Sequence, residues 1–298
     1  MHLRLTVIIW AFITFPAIAY TQPDTLVIQS FPVTPYDEVV QGFQAACSCE
    51  ITRLVLSESS TDDLPRLIQS DQHDLILAVG QHAFNAVKQL KNQAIIVTMV
   101  LHPEIDSTRN PNVSGVAMIP SPNIMITKLL NTLPEIRSIG TVYDPAHSQS
   151  LVDQGKAAAQ NLGVQLVARP VHSSRAIPKA LRELGKNCDA FWMLPDITVI
   201  TPDTIESILL FSLDNGIPIL TFSEKYLNIG AFMSVGFTPY DIGLQAGEMA
   251  KKIRKQDKVV KPGISPPKNA ITRINRKVGD KLHLTIAPAA FETGEKTN

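Results

Sequence analysis

Cysteine is scarce: the chain has three in 298 residues, an odd number, so no disulfide scaffold organises the fold. Net charge is absent too. Lysine plus arginine and aspartate plus glutamate number 27 each, which gives no reason to expect nucleic acid or an anionic membrane as partner. Beyond residue 19 no apolar run approaches the roughly 20 residues that a membrane helix needs, so the rest of the chain is not expected to insert. No G-x-G-x-x-G follows a strand-like run, and neither a G-x-x-x-x-G-K-[ST] loop nor a G-x-S-x-G elbow is present. The seven histidines form no metal-ligand spacing. Catalysis, a cofactor and a bound metal are therefore all unexpected.

What is present begins with a leader. His2 and Arg4 form a polar start, Leu5 to Phe15 is almost wholly apolar, and Ala17-Ile18-Ala19 has the small-x-small form read by signal peptidase. Cleavage after Ala19 is expected. No cysteine follows to carry a lipid anchor. Taking 19 from 298 leaves 279 residues, enough for two ordinary cores. In an exported chain Cys47 and Cys49 raise a question, because two residues of separation usually strain a bridge. Buried or free thiols are the expectation for these two and for Cys188, with a Cys47–Cys49 bridge or a metal pair as the alternatives.

From Thr25 short apolar runs alternate with amphipathic segments. Strands are expected at 25–29, 52–56, 74–79, 94–99 and 113–118, with helices at 37–46, 62–70 and 81–90 between them. The alternation then restarts: helix 123–133, strand 138–143, helix 149–162, strand 164–168, helix 177–184, strand 190–194 and helix 203–215. A compound unit closes the run. Gly216-Ile217-Pro218 leads a strand, Gly230 to Gly236 forms another, and Thr238 or Asp241 caps a helix ending in Lys251, Lys252 and Arg254. Such alternation predicts an α/β protein of two similar lobes, each a parallel sheet flanked by helices, joined by a hinge. The expected division is a signal peptide at 1–19, one lobe at 24–120 with 237–256, and a second at 121–236 with 270–288. Residues 257–269, with Lys261-Pro262-Gly263 and Ser265-Pro266-Pro267, read as a linker, and 289–298 as a disordered tail.

Several of these stretches also carry a resemblance. The Gly216-Ile217-Pro218 strand, the Gly230-Ala231 strand and the Gly243 to Ala250 helix resemble the closing part of type I periplasmic binding proteins. In particular they resemble the ABC-transporter substrate-binding family related to tryptophan- and tyrosine-type binding proteins. Ala78-Val79-Gly80, Asn112 to Val116, Ser138-Ile139-Gly140 with Asp144-Pro145, and Asp189-Ala190 with Leu194-Pro195-Asp196 match further family segments. Two departures stand out: Gln81 where threonine is usual, and His102 where many members carry an aspartate before the proline. The resemblance implies a small-molecule ligand held between the lobes, with an ABC permease as partner or a sensor protein in its place, and a periplasmic location.

In parallel α/β lobes ligands collect beyond the carboxyl ends of the strands. The strand ends of the first lobe supply Ser30, Phe31, Tyr36, Gly80, Gln81, His82, Thr98 and His102 as candidates. The second lobe supplies Tyr143, Ser148, Gln149, Asp196, Thr198, Phe222, Ser223 and Gly236. Other readings stand beside these. Phe31 and Tyr36 could pack on their own lobe, Asp144 could open a turn, Asp196 could cap, and His82 and His102 could be surface residues. Trp192 lies within a strand and reads as core. Asp196 is the candidate partner for an ammonium group, with helix amino termini after Gly80 or Ser148 for a carboxylate and Phe31 and Tyr36 as an aromatic wall. Hinge segments are expected near Pro120 and Phe237.

Overall fold

Thr25–Gln29 and Leu75–Val79 are apolar at nearly every position, as a strand covered on both faces requires, and both are buried along their whole length. The computed structural model describes residues 25–56, 73–101, 105, 108–185, 187–255, 262–288 and 296–297. The expected leader, the helix at 62–70 and His102 lie outside them. Strands β1 (Thr25–Gln29), β2 (Ile51–Val55), β3 (Leu75–Val79), β4 (Ala94–Thr98) and β5 (Val113–Val116) join β11 (Gly263–Ser265) in one sheet. Its order is β11-β5-β4-β3-β1-β2, parallel throughout. Successive side chains enter opposite cores: Leu26, Ile28, Ile76 and Val97 on one face, Val27, Leu75, Leu77 and Ile96 on the other.

The second sheet contains β6 (Ser138–Tyr143), β7 (Gln165–Pro170), β8 (Ala190–Trp192), β9 (Ile219–Thr221), β10 (Met233–Gly236), β12 (Ile271–Ile274) and β13 (Lys296–Thr297). The order is β13-β12-β10-β9-β8-β6-β7, with only β10 and β12 antiparallel. It too is packed on both faces. Trp192 lies in one of these cores, as expected, and Phe191 in the other.

Proline explains where many helices begin. Helices α3 (Pro122–Thr132), α4 (Pro145–Asn161), α6 (Pro202–Asn215) and α7 (Pro239–Arg254) open on it, at the position where a missing N–H leaves no helix bond unmade. Ser121, Asp144 and Thr238 cap three of these by accepting a backbone N–H. Among the described residues the remaining helices are α1 (Thr34–Cys47), α2 (Gln81–Val87), α5 (Ile177–Leu184) and α8 (Arg276–Lys281). Although α7 follows β10 of the second sheet, it packs on the first, where Ile242, Ala246 and Ala250 meet Val39 and Phe43. The α1–α7 contact is backbone against backbone. A Cβ on Gly243 would lie 2.1 Å from the Val39 carbonyl oxygen.

The chain thus passes between the sheets after β5, after β10 and after β11. Three expectations need correction. Residues 263–265, read as linker, form β11, an edge strand parallel to β5. Lys296–Thr297, read as disordered, pair with β12. Cys47 and Cys49 form a disulfide, because Ser48 ends α1 in the left-handed conformation (φ 51°) and turns the chain back on itself. The two Cα atoms are 5.3 Å apart, an ordinary separation for a bridge. Cys188 is buried and free, its thiol pushed up to about 11 by burial.

Candidate functional site

Strand order decides where a cleft can open. In the first sheet β2 and β3 lie on either side of β1, so the chain direction of winding reverses between β1 and β3. In the second sheet the reversal falls between β6 and β8. At such a switch point the following loops diverge to opposite faces and leave a crevice beyond the carboxyl ends. Ser30 and Gly80 follow the first pair; Asp144 and the loop to Asp196 follow the second.

At the first switch point Gly80 adopts φ +91°, a conformation that L side chains rarely take. Its N–H donates to the Thr98 carbonyl at 2.9 Å. A Cβ there would also lie 2.6 Å from both the Tyr36 hydroxyl oxygen and Ser30 Oγ, so glycine lets those two groups close over the start of α2. Ser30 Oγ accepts from the Ala83 N–H at 3.0 Å and satisfies one of the amides left open at that helix end. Burial raises the Tyr36 pKa above its usual value. Thr98 is fully buried, and its hydroxyl has no hydrogen-bond partner among the described residues. Outside this nucleus Phe31 is 46% exposed and meets the His82 ring at 5.0 Å, while Gln81 is exposed and donates to Asn85 Oδ1. Ser30, Tyr36, Gly80 and Thr98 are therefore brought together, with Phe31 and His82 as an aromatic pair at the rim.

The second switch point is built from carboxylates. Asp144 caps α4: Oδ1 accepts from the Ala146 N–H at 3.0 Å and Oδ2 from the Thr198 hydroxyl at 2.7 Å. The Thr198 bond first, then the Ala146 amide, hold its pKa below the ordinary carboxylate value. Asp196 is 1% exposed. Its Oδ2 accepts from the Asp144 N–H at 2.7 Å, and Oδ1 from the Thr198 and Val199 N–H groups at 3.0 and 3.2 Å. This corrects the expected ammonium contact. A buried carboxylate must find donors, and Asp196 finds three on the backbone, so it clamps two loops together. Thr198 spends its hydroxyl on Asp144 in the same network.

Other second-lobe candidates sit farther round. The Tyr143 hydroxyl donates to Gln149 Oε1 at 3.2 Å, and Gln149 in turn donates to Asp153. Ser148 Oγ is buried with no partner among the described residues. Phe222 packs edge-on to Tyr226 at 5.5 Å, Ser223 precedes the 3-10 turn Glu224–Ile229, and Gly236 ends β10.

A cavity of about 520 Å³ lies beside the crossing segments, and its lining includes none of Ser30, Gly80, Asp144 and Asp196. It is lined by Leu101 after β4, by the crossing segments around Ile119 and Ile264, and by the α4 face carrying His147, Ser150 and Leu151. Sequence reasoning did not single these residues out. The 147, 150, 151, 154 spacing along α4 was the available signal, since it marks one helix face directly after a strand-end aspartate.

A family model described as ABC transporter substrate binding protein matches residues 40–296. The "Tyrosine-binding protein" of Clostridioides difficile (strain R20291) is 26% identical over 206 residues, which is 65% of this chain and 58% of that protein's own length. Among solved structures, a ligand-free, open substrate binding protein with adhesive properties from Clostridium difficile has a TM-score of 0.72 at 20% identity, covering 93% of this chain and 99% of that one. An ABC domain in complex with L-Trp from Streptococcus pneumonia has a TM-score of 0.61 at 18% identity, covering 92% and 99%. At these identities the structural likenesses establish the fold.

Proposed function

This chain belongs to the ABC transporter substrate binding protein family, and on that premise we propose that it captures an amino acid with an apolar side group between its lobes for an ABC permease. The observation that carries the proposal is the pair of switch points, one per sheet, together with a cavity lined from both sides. The two switch points differ in the groups they offer. The first has hydroxyls and backbone amides suited to a carboxylate, whereas at the second both oxygens of the ionised Asp144 already accept from Ala146 and Thr198. The tyrosine-binding relative and the L-Trp complex support an amino acid as ligand. The protein acts as a binding protein and performs no chemistry on its ligand.

Capture works by closure. The segments crossing between the sheets act as the hinge, and a ligand touching both lobes binds the closed state better, which shifts the population towards it. Export precedes this: the Arg4, apolar and Ala17-Ile18-Ala19 order directs the chain to the periplasm, and the mature protein begins at Tyr20. No helix among the described residues is long and apolar enough to cross a membrane.

A thermal-shift screen of the purified mature protein against the twenty L-amino acids, with sugars and nucleosides as controls, tests the proposal. A ligand at 100 times its Kd adds about 2.7 kcal/mol of stability, a shift of several degrees. Response to a sugar or nucleoside alone would reject the amino-acid reading. Small-angle scattering with the responding ligand should show compaction.

A further inference from the structure

We propose that Gln245 is a positioning residue for closure: its buried side-chain amide ties the third crossing segment to the first lobe and confines that crossing's pivot to residues 269–270. The inference rests on capture by closure and is independent of which small molecule is captured.

Residues 266–270 separate β11 from β12, whereas only 237–238 separate β10 from α7. Five unrestrained residues reach roughly 17 Å when extended, enough to let one lobe swivel freely on the other. The structure does not leave them unrestrained. Gln245, on α7, is only 8% exposed. Its Nε2 donates to the Pro266 carbonyl at 3.0 Å and to Ser265 Oγ at 3.3 Å, and its Oε1 accepts from the Lys268 N–H at 3.0 Å. Ser265 Oγ in turn donates to the Gly115 carbonyl at 3.0 Å, so α7, β11 and β5 are joined through one side chain. Lys268 Nζ also meets Glu248 at 2.8 Å, but both ends are more than half exposed and the pair adds little.

Both flanks of the pivot are thereby fixed. Lys268 belongs to the first lobe through Gln245, and Ile271 belongs to the second through its pairing with Gly236. Only Asn269 and Ala270 lie between them. The second crossing is tighter still. Gly236 ends β10, and Thr238 caps α7 by accepting from the Asp241 N–H at 3.1 Å, which leaves Phe237 alone. Because Gly236 and Ile271 are strand partners, the two joints leave the second sheet side by side, and Phe237 and Asn269 line one small cavity of about 80 Å³ against α7. The first crossing is bounded in the same way. The Ala117 N–H donates to the Ser265 carbonyl and Ser121 caps α3, leaving 118–120. Three short joints define a rotation axis, and without Gln245 one of them becomes a five-residue tether.

The side chain suits this task because an amide donates and accepts at once. Glutamate would offer the Pro266 carbonyl no donor. Methionine would match the length and bond to neither partner.

The test uses the ligand-free mature protein with spin labels on Gln41→Cys in α1 and Lys179→Cys in α5, both exposed and one on each lobe; Cys188 is buried. Double electron–electron resonance gives the interlobe distance distribution, and hydrogen exchange reports the Lys268 amide. Gln245→Met should speed that exchange by about tenfold, the net worth of one hydrogen bond. It should also widen the distribution by roughly 1.6-fold, since the span of a flexible joint grows as the square root of its length. Lys268→Met removes only the exposed ion pair and should leave the distribution as in the wild type. A Gly-Gly insertion between Lys268 and Asn269 lengthens the same joint without touching α7, so it should widen the distribution similarly.

Faster Lys268 exchange with an unwidened distribution would overturn the pivot assignment, and an unchanged Lys268 amide would overturn the tether. Should Gln245→Met fail to fold, the insertion decides: an unwidened distribution there rejects the pivot. The capture reading is judged separately, on whether L-tryptophan or L-tyrosine shortens the wild-type distance. Failure of both counts against that reading and leaves the Gln245 comparison to decide the tether.

Discussion

The two switch points share one topology and carry opposite chemistry. At the first, β1 and β3 end in Ser30 and Gly80, and the helix that follows is capped by a hydroxyl from a neighbouring strand. At the second, β6 and the loop after β8 lead to Asp144 and Asp196, and the helix that follows is capped by its own preceding carboxylate. Strand order fixes where a crevice can lie; the residue after each strand decides which polar groups stand there.

The strongest way to break this comparison is to remove the second clamp. Asp196→Ala leaves the N–H groups of Asp144 and Thr198 without their acceptor, while Val199 keeps the Asp196 main-chain carbonyl at 3.1 Å. At about 1–3 kcal/mol for each unsatisfied group, a loss of roughly 3 kcal/mol is expected in denaturant unfolding. A loss under ~1 kcal/mol would show that the network is not structural.

Next is the first switch point. Gly80→Ala combines a left-handed backbone with a Cβ 2.6 Å from Ser30 and Tyr36 oxygens, so about 2 kcal/mol should be lost along with ligand affinity. Gly163 is the control. It has φ +74° but nothing within 4 Å of a Cβ, so Gly163→Ala should lose only about 1 kcal/mol and leave binding untouched. Equal losses at the two sites would mean that crowding at Gly80 plays no part.

Reducing the Cys47–Cys49 bridge should matter less. It closes a very short loop, worth on the order of 1.5 kcal/mol of chain entropy. It lies at the opposite end of β1 from Ser30, where the Thr25 hydroxyl donates to Cys49. Calorimetry in reductant should show a lower melting temperature with an unchanged Kd.

The finest test is titration. Asp144 has a depressed pKa, so its contribution to stability is present above the ordinary aspartate value near 3.9 and is lost as pH falls through the lowered folded value. Thr198→Val removes the leading cause and should move that loss to higher pH, visible in carboxyl NMR chemical shifts. An Asp144 titration unmoved by the substitution would assign the shift elsewhere.

Much of this could be read from residue order. The helix 177–184 falls on the same residues as expected, and the apolar runs at 25–29, 94–99 and 138–143 are strands within a residue of their ends. Local signals suffice there, because covered strands are continuously apolar and helices open on a cap followed by proline. The misses have a common cause. β11 is three residues between Pro262 and a double proline, and only pairing with β5 makes it a strand. The Cys47–Cys49 bridge depends on a left-handed Ser48, which nothing in its identity demands.

The same divide runs through the site. Sequence alone determined the two-lobed α/β plan and pointed to the strand ends, because periodicity and caps are properties of neighbours along the chain. It could not assign Asp196, whose Oδ2 accepts the N–H of a residue 52 positions away. Nor could it find the cavity, whose walls come from Leu101, the crossing segments and α4. Those were decided by tertiary structure, because a buried carboxylate takes whichever donors the packed loops bring to it, and a cavity is the space that distant segments leave unfilled.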